Sequence, residues 1–416
     1  MMNWFRKKSL FALDLGTSKF CLAAVRRVNS DESPQLDLIS VKAQGMNKGM
    51  VANFDEAKRA LNALIEKAEK QLNCDIDQVI VGIAGSHLQG KQVKTSFPLH
   101  QNRVTHQVLE LLTNHAKMQS IDEGYEILHT VPIDFQIDNR EKIDSPIGFS
   151  GHLIKASYLQ IYADQSYVKD VVRLCNESGL QVRNFYAEPF ASSCVGVSDR
   201  SKELGCVVAD IGGGTTDGIV FQDSRPVSLF TVNIGGFMMT KDLAIGLNLL
   251  DAEAERVKHH FGLRPPESCP SLEVTNADEE KQLVQWRDVF QVLGPRISEL
   301  SQAIGKEIVQ YKGLLPGGVL LTGGGANVRG IQDYINDQLK VPVALSLPQL
   351  DVNTFMASKD KHKRESYKKP HSSKFATALG LLSLEIAHLN ESPGKGYSVW
   401  PTRTLSQFIG WIKELS

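Results

Sequence analysis

Between Ala209 and Asp217 the chain reads ADIGGGTTD, three glycines with an aspartate on either side and two hydroxyls after them. Glycine exposes its N–H without a Cβ and takes φ > 0 freely, so such a loop can press its backbone against an anion. The flanks decide what kind of loop it is. Residues 205–209 before it and 216–221 after it are apolar, β-branched and aromatic, so the glycines turn a hairpin. Phosphate loops that open directly into a helix do not fit. Asp210 would repel a phosphate unless a cation stood between them. The spacing therefore predicts Mg²⁺ held through water by Asp210. Thr215, Thr216 and the N–H groups of Gly212, Gly213 and Gly214 would lie on phosphate oxygens.

The plan occurs twice. Phe11-Ala12-Leu13-Asp14-Leu15-Gly16-Thr17-Ser18-Lys19-Phe20 is again an apolar strand, an aspartate, a glycine, hydroxyls and a second strand. Two similar hairpins roughly 200 residues apart imply two related domains clamping one phosphate tail. In a third loop, residues 318–322 form a strand ending in Gly323, Gly324 and Gly325, and residues 327–339 read as an amphipathic helix. Its position suits a nucleoside and its first phosphates. Together the three loops resemble the actin-like ATPase fold, shared with heat-shock chaperone ATPases and sugar kinases. Residues 85–92 nearly spell a P-loop, but Gln92 stands where Ser or Thr must bind Mg²⁺, and residues 93–97 alternate like a strand.

These loops need rigid elements to carry them, and 416 residues with 42% hydrophobic content allow two to four domains with real cores. A net charge of −1 gives no global field favouring nucleic acid. The six cysteines lack CxxC spacing and read as buried thiols of a reducing compartment; no structural metal is expected. The apolar run after Trp4-Phe5-Arg6-Lys7-Lys8 is broken by Asp14, so no signal peptide is read. No stretch reaches the length of a membrane span. The chain is expected in the cytoplasm.

Elements group into an α/β arrangement of two related domains, each with a subdomain. The first domain takes residues 9–85 and resumes at 164–200 and 374–389, around an inserted α/β subdomain at 86–163. The second takes residues 204–234 and 314–358, around a mostly helical subdomain at 235–313. The basic run at 359–370 reads as a solvated loop or as a contact with anionic lipid. Residues 390–404 are a linker, and residues 405–416 form an amphipathic helix. At 100° per residue Leu405, Phe408, Ile409, Trp411, Ile412 and Leu415 share an arc of about 160°. A core helix carries the same stripe, but the terminal position and the flexible linker favour an in-plane membrane anchor. Such a short anchor is weak alone and depends on many subunits presenting tails together.

The inserted segment carries His129-Thr130-Val131-Pro132-Ile133-Asp134, then Pro146-Ile147-Gly148-Phe149-Ser150-Gly151. Gly45-Met46-Asn47-Lys48-Gly49, Ile234-Gly235-Gly236 with Asp242, Ala254-Glu255-Arg256-Val257-Lys258 and Gly294-Pro295-Arg296 follow. Through these residues the chain resembles the FtsA family of bacterial cell-division proteins over nearly its whole length. The resemblance implies an ATP-binding adaptor on the inner face of the cell membrane at the division site. It would polymerise, link filaments of FtsZ to the membrane through the FtsZ C-terminal tail, and engage downstream division proteins. It further implies that Gly236, Glu255 and Lys258 meet the nucleoside, that Asp14 and Asp210 hold the Mg²⁺ shell, and that Glu188 orients attacking water, with slow or no ATP hydrolysis. Arg296, supported by Arg287, is the expected contact for the acidic FtsZ tail, an ion pair within the subdomain being the other reading of Arg296. Phe237 replaces a usual Asn, and Gly294 a usual Glu. A PilM-like pilus-assembly adaptor and a sugar kinase are the competing readings. The first lacks this kind of tail, and no sugar-binding or base residues can be assigned for the second.

Overall fold

The computed structural model describes residues 9–26, 35–99, 103–119, 122–265, 271–349 and 371–390. β1 (Leu10–Leu15) and β2 (Lys19–Arg26) are apolar runs buried on both faces, as strands inside a covered layer must be. They pair antiparallel from Leu10↔Val25 to Leu15↔Phe20, leaving Gly16, Thr17 and Ser18 as the turn. β3 (Gln35–Lys42) adds beside β2. A short ladder of β4 (Met46–Asn47) and β5 (Met50–Val51) leads into α1 (Phe54–Leu72), whose start is fixed by Asn53 accepting the Glu56 N–H. β6 (Gln78–Ile83) then lies parallel to β1.

Here the chain leaves the sheet. β7 (Leu88–Pro98), α2 (His106–Met118), β8 (Tyr125–Ile137), β9 (Arg140–Ile143) and β10 (Leu153–Asp164) build an antiparallel sheet in the order β7-β10-β8-β9. Leu109, Leu112 and Ala116 of α2 pack on Phe135, Ile154 and Tyr158 in a small core of their own. The opposite ends of β8 and β10 contribute Leu128, Val131, Leu159 and Ile161 to the main core, so the insertion is rooted in the body of the protein. α3 (Gln165–Glu177), capped by Asp164, and β11 (Gln181–Ala187) complete a five-stranded sheet, β11-β6-β1-β2-β3.

After α4 (Glu188–Ser192) and α5 (Asp199–Leu204) the arrangement repeats. β12 (Cys206–Ile211), β13 (Thr216–Gln222) and β14 (Arg225–Val232) form the antiparallel meander. α6 (Gly236–Gly246), α7 (Asp251–Phe261), the hairpin β15 (Ser271–Thr275) with β16 (Lys281–Gln285), and α8 (Trp286–Ile308) intervene. β17 (Val319–Thr322), α9 (Ile331–Leu339) and β18 (Val343–Leu345) then supply two parallel strands, giving β14-β13-β12-β17-β18, strand for strand the order of the first sheet. The β15–β16 hairpin interrupts a segment expected to be mostly helical. Val274 and Val284 are its buried residues, too few to announce a strand pattern. α9 starts at Ile331 and not at Asn327, because residues 325–327 make a 3₁₀ turn and Gly330 takes φ 76°.

α10 (Ala376–Asn390) closes the first core against β1 and α4. Gly380 permits the approach, since a Cβ there would collide with the Ala191 carbonyl. Glu385 on its inner face is fully buried, paired with Arg183 at 2.8 Å and accepting the Tyr186 hydroxyl at 2.9 Å. The basic run, the linker and the terminal amphipathic helix, with Leu405, Phe408, Ile409, Trp411, Ile412 and Leu415, lie outside the described residues. Among the described residues no helix is long and apolar enough to cross a membrane.

Candidate functional site

The turns of the two hairpins meet between the sheets, at the C-terminal ends of β1 and β12. A Cβ on Gly213 would stand 2.9 Å from the Ser18 Cβ, and one on Gly214 would stand 2.8 Å from the Lys48 Cα. Thr17 Oγ1 accepts the Gly49 N–H at 3.1 Å, so the 45–49 loop belongs to the same wall. Across from it α6 begins, its Gly236 N–H donating to Gly212 O at 2.9 Å and its Phe237 N–H to Gly213 O at 2.7 Å. A Cβ on Gly236 would be 3.7 Å from both the Gly325 Cα and the Lys258 Nζ. In the third loop Gly323, at φ 86°, presses on the Asp210 carboxylate, and Ser373 Oγ donates to its carbonyl at 2.8 Å. Gly324 is more open, with Lys374 as its neighbour. Bare backbone from all three loops thus borders one cleft.

Behind the turns stand four acidic side chains. Asp14 is buried and paired with Lys19 at 2.8 Å. Burial alone would depress the Lys19 ammonium; Asp14, with Cys21 and Asp210, outweighs it and holds its pKa above the usual value. Asp210 is pushed up to about 7, by burial first and then by Asp217 and Asp14, although Thr377 Oγ1 donates to it at 3.1 Å. Glu188 is held well above the carboxylate range by burial and by Asp14, Asp217 and Asp210. It fits only because Gly82 lacks a side chain, a Cβ there falling 2.7 Å from Glu188 Oε1. Buried carboxylates crowded around one lysine form a donor set suited to a hard divalent cation held through water, beside loops whose backbone suits phosphate. The residues fit ATP with Mg²⁺.

Several expected residues face elsewhere. Thr215 Oγ1 donates to Asp217 Oδ2 at 2.8 Å and Thr216 Oγ1 to Ile234 O at 2.7 Å, so both hydroxyls brace the hairpin rather than the cleft. Asp217, whose pKa is raised by burial, also accepts from Thr231 at 2.6 Å, and Thr231 reaches Gly85 O at 3.3 Å. That bracing role of Asp217 ends the ADIGGGTTD motif itself, yet only the fold reveals its partners. Glu255 and Lys258 come together at 2.7 Å; Lys258 also donates to Gly236 O at 3.1 Å and Thr240 Oγ1 at 2.8 Å. Burial opposes the charge on Glu255, but His259, Lys258 and Thr240 win and hold its pKa at about 2.

Of the two readings of Arg296, the structure shows the ion pair within the subdomain. Its guanidinium binds Asp242 of α6 through Nε at 2.6 Å and Nη2 at 3.0 Å, and its Nη1 pairs with Glu299. The physical reason is proximity of α8 to α6, which presents a carboxylate in bidentate geometry. Arg287, at the start of α8, is exposed.

A model of the cell division protein FtsA matches residues 207–380, and a model of the SHS2 domain inserted in FtsA matches residues 85–162. FtsA of Escherichia coli (strain K12) is 26% identical over 435 residues, covering 99% of this chain and 97% of that protein. The PilM-PilN type IV pilus biogenesis complex superposes with a TM-score of 0.63 at 18% identity, covering 92% of this chain and 99% of that one. MreB5 of Spiroplasma citri bound to ADP does so with a TM-score of 0.55 at 13% identity, covering 93% and 100%. The structural likenesses establish the actin-like ATPase fold. The two FtsA models fall on the inserted sheet and on the second half, and the sequence match to E. coli FtsA runs the full length, so the chain belongs to the FtsA family of cell-division proteins.

Proposed function

We propose that this chain is an ATP-binding adaptor that polymerises and ties FtsZ filaments to the inner face of the cell membrane. The observation that carries the reading is the pair of glycine turns facing each other in front of Asp14, Asp210 and Glu188. Backbone N–H groups of Gly16, Thr17, Ser18, Gly213 and Gly214 would meet the phosphates, with Lys19 adding charge; the Gly212 N–H instead donates to Thr215 O at 2.9 Å inside the hairpin. Asp14 and Asp210 would hold Mg²⁺ through water. Gly236, Glu255, Lys258 and the 323–325 loop would border the nucleoside. Bound Mg²⁺ supplies charge neutralisation on the phosphates. Glu188 would hold a water, and a switch run by nucleotide binding needs no fast turnover.

Membership of the FtsA family supports the FtsZ partner, self-association and the role of residues 405–416 as an in-plane anchor. A filament of weakly anchored subunits binds a membrane collectively. The test is co-sedimentation of the protein with liposomes and FtsZ, with and without ATP and Mg²⁺. ATP-dependent recruitment of FtsZ to the vesicles is expected. Recruitment indifferent to nucleotide, or absent, would refute the adaptor reading, and sugar-stimulated ATP turnover would replace it with a kinase.

A further inference from the structure

We infer that His129, on the inserted sheet, is a positioning residue that couples that sheet to Glu188. The inference rests on the reading of Glu188 as the group that orients water.

His129 lies on β8 opposite Ile161 of β10, is 1% exposed, and reaches out of its own sheet. Its ring stacks on Tyr186, centroids 5.7 Å apart and planes at 16°, and leans on Phe190 at 5.6 Å. These two rings flank Glu188, one at each end of the strand-to-helix corner formed by β11 and α4. At the corner itself His129 Nε2 accepts the Ala187 N–H at 2.9 Å. With Nε2 accepting, the ring proton sits on Nδ1. The imidazole stays neutral there, burial having pulled its pKa down to about 3.

The bond matters because of where Ala187 is. β11 is an edge strand of its sheet, paired with β6 on one side. Ala187 ends that strand and serves as N-cap of α4, with no side chain of its own to cap the helix. A buried backbone donor at such a corner must find an acceptor or destabilise the turn. The acceptor comes from the insertion. Tyr186 is fixed in turn by its hydroxyl bond to Glu385, and the space above Gly82 receives the Glu188 side chain. Rotation of the inserted sheet would therefore move the backbone immediately before Glu188, and a ligand that settles the sheet would settle the carboxylate.

The test is a series in acceptor reach. His129→Gln keeps an acceptor as many bonds from Cβ as Nε2; His129→Asn stops one bond short; His129→Leu has none. Each full-length variant is measured for ATP affinity by calorimetry, for ATP hydrolysis in single turnover with protein in excess, and for hydrogen exchange at the Ala187 amide. Glu188→Gln is run in parallel. The expected result is that the Leu and Asn variants keep ATP affinity, exchange Ala187 faster and hydrolyse ATP about tenfold more slowly, the size of effect a small misplacement causes. The Gln variant should recover both. Wild-type turnover in His129→Leu, alongside slowed Glu188→Gln, would overturn the inference. So would equal losses in the Gln and Asn variants, which decide the matter if the Leu variant does not fold. Unchanged turnover in Glu188→Gln would instead bring down the reading of Glu188 itself.

Discussion

A Cβ added at Gly213 would stand 2.9 Å from the Ser18 Cβ, in a loop proposed to receive a phosphate. Gly213→Val should weaken ATP binding about 100-fold, roughly 3 kcal/mol, with the fold retained by circular dichroism. Calorimetry giving wild-type affinity would remove this turn from the site. A second residue-scale expectation concerns acid. His87 is buried against Tyr167, ring centroids 3.6 Å apart, and burial lowers its pKa to about 4 although Asp164 pulls the other way. Unfolded, the same imidazole titrates near 6.5, so between these values the unfolded chain binds the extra proton. Stability is full above pH 6.5 and falls as pH drops toward 4, by on the order of 1 kcal/mol per pH unit from this residue. Urea midpoints for wild type and His87→Phe at pH 7 and pH 5 should differ in slope by about one proton; parallel slopes would show that His87 does not titrate there. Glycine, aspartate and hydroxyl spacing made the cleft readable from sequence. The direction of each hydroxyl was not, because Thr215 and Thr216 choose between phosphate and their own hairpin only once Asp217 and Ile234 O are in place.

At the scale of elements, the ion pair of Arg296 with Asp242 joins α8 to α6, both partners being about three-quarters buried. Arg296→Ala should cost about 1–2 kcal/mol and leave Asp242 unpaired, read as a lowered urea midpoint. The exposed Arg287 is the cleaner probe of FtsZ-tail binding: Arg287→Glu should weaken binding of the tail peptide several-fold without changing stability. Unchanged affinity would place the peptide elsewhere. Strands and helices with strong periodicity, such as β1, β2, α1 and α3, were legible because burial on one or both faces writes itself into the residue pattern. The β15–β16 hairpin was not, since Leu272 and Leu283 stay partly or largely in solvent and its pairing is set by the turn between. An ion pair was one of the two readings of Arg296, but its partner was hidden, because Asp242 lies 54 residues away in the chain.

Among the described residues two five-stranded sheets share one strand plan, and the four-stranded sheet leans on both. Gln92 of the insertion donates to Val227 O at 2.7 Å, and Arg225 reaches Asp144 Oδ1 at 3.3 Å. ATP binding is proposed for that body, and membrane binding for residues 405–416. Deleting them, or placing a charge in the apolar arc with Trp411→Glu, should abolish liposome flotation while ATP affinity stays at wild type. Flotation of the truncated protein would move the anchor, and loss of ATP binding would mark the segment as part of the core. The closing helix carries one more consequence. Leu381, Leu382 and Ile386 of α10 share a core with Leu13, Ala23 and Leu61, so β1 and β2 are finished by a helix made more than 300 residues after them. The second sheet, complete at Leu345, is ready before them. At 5–20 residues per second the side of β1 and β2 that α10 covers waits roughly 20–75 s for it, an interval in which that apolar surface is open to a chaperone.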